Sequence, residues 1–271
     1  MNSDFDRRFG GMRRLYGVQG AQAVFDAHVV VVGIGGVGSW AAEGLARSGV
    51  GRLTLVDMDH VAESNVNRQI HAMTDTLGMA KIEAMRERIA LINPACVVES
   101  VDDFVTEANW PLLGAKLLEH AGAVAIIDAC DQVRAKTAMA AWALSHRQRF
   151  VTVGAAGGKR KPQAIEVGDL AEVTHDPLLA QLRYRLRREH GASRTGRMGV
   201  NCVFSREAVA PPDASCDLSP SDGSLNCHGY GSVVSVTASF GLCAAGSVLN
   251  ALAESTSNKL SALSKRPEMT L

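Results

Sequence analysis

Gly33-Ile34-Gly35-Gly36-Val37-Gly38 stands between a β-branched apolar run and an alanine-rich stretch. Glycines at this spacing let a chain turn sharply from strand into helix. They also leave backbone N–H groups open to a phosphate at the helix N-terminus. Asp57 closes the next apolar run, where an acid accepts hydrogen bonds from a ribose hydroxyl. Gly33, Gly35, Gly36, Gly38 and Asp57 therefore predict a nucleotide site. A nicotinamide-dependent oxidoreductase would use the same glycines and the same acid, and the residues after Asp57 separate the two chemistries. Asp59, Asn65, Asn67, Arg68 and Gln69 follow within the next twelve residues, and Gly78, Ala80 and Lys81 come just after. Hydride transfer needs no such set of cations. Breaking the bond between an α- and a β-phosphate does, because negative charge grows on both fragments and is stabilised by fixed positive groups. The alternative is a solvated polar loop.

These residues need a scaffold, and the apolar pattern supplies one. Residues 29–32 are a continuous β-branched run, as expected of a buried parallel strand. Further strands are predicted at 53–56, 97–101, 124–127 and 150–153. Helices are predicted at 39–48, at 81–92 (Ile82, Met85, Ile89 and Ile92 at helical spacing, ending before Pro94) and at 133–145. A polar helix over 11–27 would turn Leu15, Val18 and Val24 inward. This alternation predicts an α/β fold, a doubly wound, Rossmann-like and mainly parallel sheet covered on both faces. After Gly154 the pattern changes to a strand at 164–167, a basic helix at 177–190, a strand at 200–204 and a Pro/Asp/Ser-rich crossover loop at 211–225. A long apolar helix at 229–253 forms a C-terminal extension. The organisation expected is one domain over 1–255, its nucleotide-binding part at about 8–155, with a flexible tail at 256–271.

Composition excludes disordered and collagen-like classes for these 271 residues. The 28 Lys and Arg balance 28 Asp and Glu, so net charge says nothing of partners. Their distribution says more: between Gln181 and Val200 six arginines face one acid, Glu189. Such a stretch attracts phosphates if presented on one face, with a solvated helix face as the alternative. None of the six cysteines forms a C-x-x-C half-site, so no zinc is expected. The first twenty residues hold no apolar run, so a cytoplasmic setting is expected. Residues 223–253 lack Asp, Glu, Lys and Arg. Hydropathy alone would allow a membrane span at 229–253; Ser232, Ser235, Thr237 and Ser239 fit a core helix, which is the reading taken.

Four motifs, G-x-G-G-x-G, D-x-D-x-V-x-x-S-N-x-N-R-Q, G-x-x-K and D-x-x-D, resemble the ubiquitin-activating-enzyme-like adenylyltransferase superfamily over residues 8 to about 155. The resemblance implies ATP and Mg2+ as cofactors. It implies Gly35, Gly36 and Gly38 along the phosphates, Asp57 on the ribose, and Asn65, Arg68 and Gln69 on the phosphates. Arg68 and Lys81 would stabilise the α-phosphate, and Asp131 would hold the metal with Asp128 alongside. It further implies a homodimer in which an N-terminal arginine, Arg8, Arg13 or Arg14, enters the neighbouring site. Sulfur-carrier activators in this superfamily usually carry two C-x-x-C pairs, absent here. Instead, Arg8-Phe9-Gly10-Gly11, Asp176-Pro177-Leu178, Val203-Phe204-Ser205 and Asn226-Cys227-His228-Gly229 resemble the branch that dehydrates threonylcarbamoyladenosine in tRNA, over nearly the whole chain. That implies adenylation of the threonyl carboxylate, ring closure and loss of AMP, with tRNA facing 156–255 and meeting Arg183, Arg187 and Arg194. It leaves open a cysteine desulfurase-type sulfur-transfer partner, and Cys227 as either a reactive or an inert thiol. Activation of a ubiquitin-like sulfur carrier is the alternative function.

Overall fold

The first strand, β1 (His28–Val32), is buried at every position. Val29 and Val31 join the apolar cluster on one face of the sheet, Val30 and Val32 the cluster on the other, as a strand with period two requires. In this computed structural model, which describes residues 3–118, 124–213, 215 and 230–264, seven strands form one sheet: β1, β2 (Arg52–Val56), β3 (Val97–Val101), β4 (Val124–Asp128), β5 (Arg149–Val153), β6 (Ile165–Asp169) and β7 (Asn201–Ser205). Their order is β3-β2-β1-β4-β5-β7-β6. All neighbours run parallel except β6 against β7. The order reverses between β1 and β4, so a crevice opens at their carboxyl ends, where doubly wound sheets bind ligands.

Helices α1 (Ser3–Phe25), α2 (Gly38–Arg47), α3 (Lys81–Ile92) and α7 (Val234–Ser264) cover one face; α4 (Trp110–Leu118), α5 (Val133–His146) and α6 (Pro177–Glu189) cover the other. Glu43 on α2 binds Arg88 of α3 through two N–H···O bonds, Nε to Oε2 at 2.7 Å and Nη2 to Oε1 at 3.1 Å. The apolar segment near the C-terminus is a core helix: Val236, Phe240, Ala244, Val248 and Leu252 of α7 are buried. A Cβ on Gly44 of α2 would lie 3.2 Å from Leu242 and 3.3 Å from Ala245. The segment Val234–Glu254 is long and apolar enough to cross a membrane by length and composition, yet over half of it is buried in this interior, with Val234 and Leu242 left exposed.

Three expectations need correction. Leu15 and Val18 are 73% and 69% exposed rather than inward. Gly17, at φ +72°, takes a non-helical conformation inside α1, so the helical phase that points Val24 inward does not carry back to Leu15; Val18, on Val24's side of the break, falls on another face of the same helix. Helix α4 was not expected; Thr106 and Asn109 exchange side-chain and backbone hydrogen bonds ahead of it. Helix α7 continues to Ser264, well into the expected tail; 265–271, most of the loop 211–225, and Gly229 lie outside the described residues.

Two buried titratable groups make the stability of this frame sensitive to charge. Lys136 of α5 is fully buried 3.1 Å from the equally buried Asp128 at the end of β4, and donates to Thr152 Oγ1 at 3.1 Å and the Val153 carbonyl at 2.9 Å. Burial opposes its charge, but Asp128 holds the ammonium above its ordinary pKa. Lys136→Met leaves a buried unpaired carboxylate and should cost about 3–5 kcal/mol, read from urea unfolding. Adding Asp128→Leu should restore most of that; equal losses in the single and double variants would refute the pairing.

His71, in the loop before α3, is also buried, and neither ring nitrogen has a hydrogen-bond partner among the described residues. Burial, then Lys81 and Arg88, pushes its pKa from 6.5 down to about 4. Because the folded value lies below the unfolded one, the neutral ring's contribution is present above pH 6.5 and is lost as pH falls towards 4. A melting series in that window should show His71→Leu losing less stability than the unsubstituted protein; parallel curves would rule this out.

Candidate active site

The crevice at the β1–β4 reversal is a cleft of about 650 Å³. Its turn begins where β1 ends. Gly33 sits at φ +86°, and a Cβ there would lie 2.9 Å from the Cys130 nitrogen. A Cβ on Gly38 would fall 1.8 Å from the Gly33 carbonyl oxygen, so no other residue closes this turn into α2. A Cβ on Gly36 would meet Arg68 Cγ at 3.2 Å, whereas one on Gly35 would meet nothing within 4 Å. The start of α2 thus offers bare backbone to the cleft, which suits an anion.

Asp57, just past β2, fastens this turn. Its Oδ2 accepts the Ile34 N–H at 2.6 Å and its Oδ1 the Asp59 N–H at 2.8 Å. Burial pushes the carboxyl pKa up, against Lys81 and the two N–H donors. Lys81 opens α3, is buried along its stem, and donates from Nζ to Asp59 Oδ2 at 2.7 Å.

A 3₁₀ turn at Glu63–Asn65 presents the polar set. Asn65 Oδ1 accepts the Ala62 N–H at 3.1 Å, and the Asn65 carbonyl accepts the N–H groups of Arg68 and Gln69. The Arg68 carbonyl accepts the Trp40 indole N–H at 2.9 Å, while its guanidinium donates to the Ser64 carbonyl at 2.6 Å and Asn67 Oδ1 at 3.0 Å. Gln69 is buried on the cleft wall, and its Oε1 has no partner among the described residues. An orphaned buried acceptor beside a glycine cradle and two cations fits a nucleotide carrying its own donors. Gly33, Gly35, Gly36, Asp57, Asp59, Asn65, Arg68, Gln69, Lys81 and Asp131 all line this one cleft.

Asp128 does not line it. Its carboxylate is fully buried, bound to Lys136 and to the Thr152 hydroxyl at 2.7 Å, so the acid expected beside the nucleotide is a structural post. Asp131 is the half-buried acid from this loop that does face the cleft. Among the described residues no group of three or more metal-ligating side chains occurs. Magnesium, which keeps waters and takes one or two carboxylates plus substrate phosphates, needs no such group.

The arginine stretch divides. Arg183 donates to the carbonyls of Leu170 at 3.1 Å and Val173 at 2.7 Å, which makes it a strut between α6 and the chain after β6 and corrects its expected part in RNA contact. Arg187 donates to the Ser193 carbonyl, while Arg194 is exposed. In α1, Arg8 binds Asp4 and the Ile92 carbonyl, and Arg13 binds Asp6. Arg14 is exposed beside Leu15. Cys227 lies outside the described residues.

One wall of the cleft escaped the sequence reading. Gly154, Ala155, Gly157, Leu178, Gln181, Val209 and Tyr230 come from separate segments. Asp176 joins two of them: Oδ2 accepts the Ala155 N–H at 2.9 Å, and Oδ1 caps α6 by accepting the Leu179 N–H at 3.0 Å. The Asp-Pro-Leu motif was its only local signal.

Comparison with known proteins places this geometry. The profile of the ThiF family matches residues 9–267. The tRNA threonylcarbamoyladenosine dehydratase of Escherichia coli (strain K12) is 47% identical over 247 residues, 88% of this chain and 90% of that protein. The Haemophilus influenzae protein of the same name is 38% identical, covering 92% of this chain and 94% of that protein. The crystal structure of the E. coli dehydratase in complex with ATP superposes with a TM-score of 0.84 at 44% identity, covering 95% of this chain and 98% of that one. The chain belongs to the ThiF family, in the branch that holds the tRNA threonylcarbamoyladenosine dehydratases.

Proposed function

We propose that the protein uses ATP to dehydrate threonylcarbamoyladenosine in tRNA. One observation carries the reading: a glycine cradle with Arg68 and Lys81 shares a single cleft with a wall that bears no charge, so a polyphosphate and a substrate that joins an uncharged base to a carboxylate can meet there. The threonyl carboxylate attacks the α-phosphorus and pyrophosphate leaves. A ureido atom of the same nucleotide then attacks the acyl carbon and expels AMP, which carries away one carboxylate oxygen. The chain's own part is positioning and charge. Backbone N–H groups at the start of α2 hold phosphate, and Asp57 takes the ribose. Lys81 and Arg68 balance charge growing on the phosphorus oxygens, and Asn65 and Gln69 orient the chain of phosphates. Magnesium, held by Asp131, would add charge neutralisation. Intramolecular closure is assisted by proximity, worth up to ~7–11 kcal/mol of barrier, and needs no enzyme thiol or sulfur-transfer partner.

We infer a homodimer, supported by the outward Arg14, Leu15 and Val18 on α1; Arg14, exposed where Arg8 and Arg13 pair within the chain, is the arginine taken to enter a neighbouring cleft, and light scattering measures the assembly. A tRNA substrate favours a cytoplasmic setting.

The test is release of AMP and pyrophosphate from ATP with modified tRNA or with candidate carrier proteins. Release that depends on a carrier and ignores tRNA would favour the sulfur-carrier alternative. With the carboxylate labelled by 18O, the label should appear in AMP.

Replacing Arg68 or Lys81 by Ala should lower kcat by about 10²–10³, the usual effect of removing a preorganised charge donor, and should raise the KM for ATP much less. Near-normal turnover in Arg68→Ala would overturn the assignment.

Removing Arg187 and Arg194 together should flatten the dependence of log affinity for tRNA on log salt by roughly 0.7–0.9 for each phosphate left without its cation. Arg183→Ala should lower stability and leave the slope alone. If the double variant keeps the full slope, the RNA lies elsewhere.

A further inference from the structure

The two ends of the cleft differ in chemistry. Every charged residue that lines it comes from the chain after β2, β3 and β4 or from the start of α3; the wall made by residues 154–157, Pro177, Leu178, Gln181, Val209 and Tyr230 has none. A polyphosphate leaves such a wall without counter-charge. A flat, mostly apolar group with a polar edge matches it.

That wall is braced rather than loose. The Gly158 N–H donates to the Gly231 carbonyl at 2.8 Å, and the Ala210 N–H donates to the Gly158 carbonyl at 2.8 Å. These bonds dock the segments that carry Tyr230 and Val209 on one glycine pair. Gly158 has φ +70°, and a Cβ there would lie 2.7 Å from Val209 Cγ1 and 3.3 Å from Tyr230 Cδ1. At Gly157 it would lie 3.5 Å from Tyr230 Cβ. The shelf is flat because it has no side chains, and Tyr230 rests on it with 36% of its surface exposed. Beneath, the buried Lys159 ammonium donates to the carbonyls of His175 at 3.3 Å, Ser205 at 3.3 Å and Glu207 at 2.7 Å. It thereby ties the chain before α6 to the chain that leads to Val209. Pockets largely formed before binding are the usual seats of small ligands.

Resting on the function proposed above, we propose that this uncharged wall seats the base of the modified adenosine, with the Tyr230 ring against its face and the Gln181 carboxamide at its edge. Single-stranded RNA bases are read in this way, by stacking on aromatic rings and by hydrogen bonds to their edges. Gln181 offers both a donor and an acceptor, and its place on the first turns of α6, which Asp176 caps, holds it at the wall. Seating the base here leaves the threonyl carboxylate free to point at the end of the cleft that holds Arg68 and Lys81.

Steady-state kinetics with modified tRNA and ATP varied separately test this. Tyr230→Ala should raise the KM for tRNA about tenfold or more, the usual size of a lost base–aromatic stack, while the KM for ATP moves by less than about twofold. Tyr230→Phe, which keeps the ring, should recover most of the loss. Gln181→Ala should shift the KM for tRNA in the same direction and decides the matter if Tyr230→Ala fails to fold. The free nucleoside should inhibit more strongly than N-carbamoylthreonine, which has the same carboxylate and no base, and Tyr230→Ala should erase that advantage. Unchanged KM for tRNA in the Ala variants, or equal shifts for tRNA and ATP, would overturn the seat. Failure of the function itself looks different: the unsubstituted protein would release no AMP with tRNA.

Discussion

Two hydrogen bonds to one carboxylate hold the site together. Asp57 accepts one N–H from the turn after β1 and one from its own strand's continuation, so the ends of β1 and β2 are fixed to each other beside the point where the sheet reverses order. Everything on the charged side of the cleft follows from that junction. Asp59, two residues on, meets Lys81; Lys81 begins α3; and the loop between them is short enough that Asn65, Arg68 and Gln69 fall beside the glycine turn. An acid serves here because it accepts several N–H groups at once, and burial strengthens each bond by removing competing water.

The same constraint explains why acids seen in the sequence take different places. Asp128 and Asp176 each sit near the cleft and each commit their oxygens to the frame, one to Lys136 and Thr152, the other to two backbone N–H groups. Asp57 also accepts two backbone N–H groups, yet it lines the cleft and each of its oxygens keeps a second acceptor site for a ribose hydroxyl, while Asp131 remains at the surface of the cleft. A buried carboxylate without partners is strongly disfavoured, so the acids with the fewest internal partners are the ones left for ligands.

Much of this was legible in the chain because parallel strands and their helices write strong local patterns. The run 29–32 announced β1, and the spacing of Ile82, Met85 and Ile89 announced α3. The glycines with Asp57, Arg68 and Lys81 were readable because one strand–turn–helix and one loop bring them together. Leu15 was misplaced because Gly17 breaks the helical phase, a backbone event with no periodic trace, and Val18 because its six-residue spacing from Val24 does not return to one helical face. Arg183 read as an RNA contact because sequence shows charge, not the carbonyls of Leu170 and Val173 that occupy it. The uncharged wall was invisible for a different reason. Its residues are scattered from Gly154 to Tyr230, and only tertiary docking on the Gly157–Gly158 shelf makes them neighbours.

The contact between α7 and the glycine turn also sets an order of events. A Cβ on Gly241 would lie 2.3 Å from the Val37 carbonyl, and Thr237 stands 3.4 Å from where a Cβ of Gly36 would be. The last helix therefore forms the back of a cradle encoded near the start of the chain. During synthesis, roughly 200 residues separate the two, or on the order of ten seconds or more of translation. Until α7 emerges, the turn has no backing, and the nascent chain carries an unfinished nucleotide cradle. Emergence of α7 and completion of the binding loop are then a single event, so a chain that stops short of α7 is left without the backing that its N-terminal motifs require.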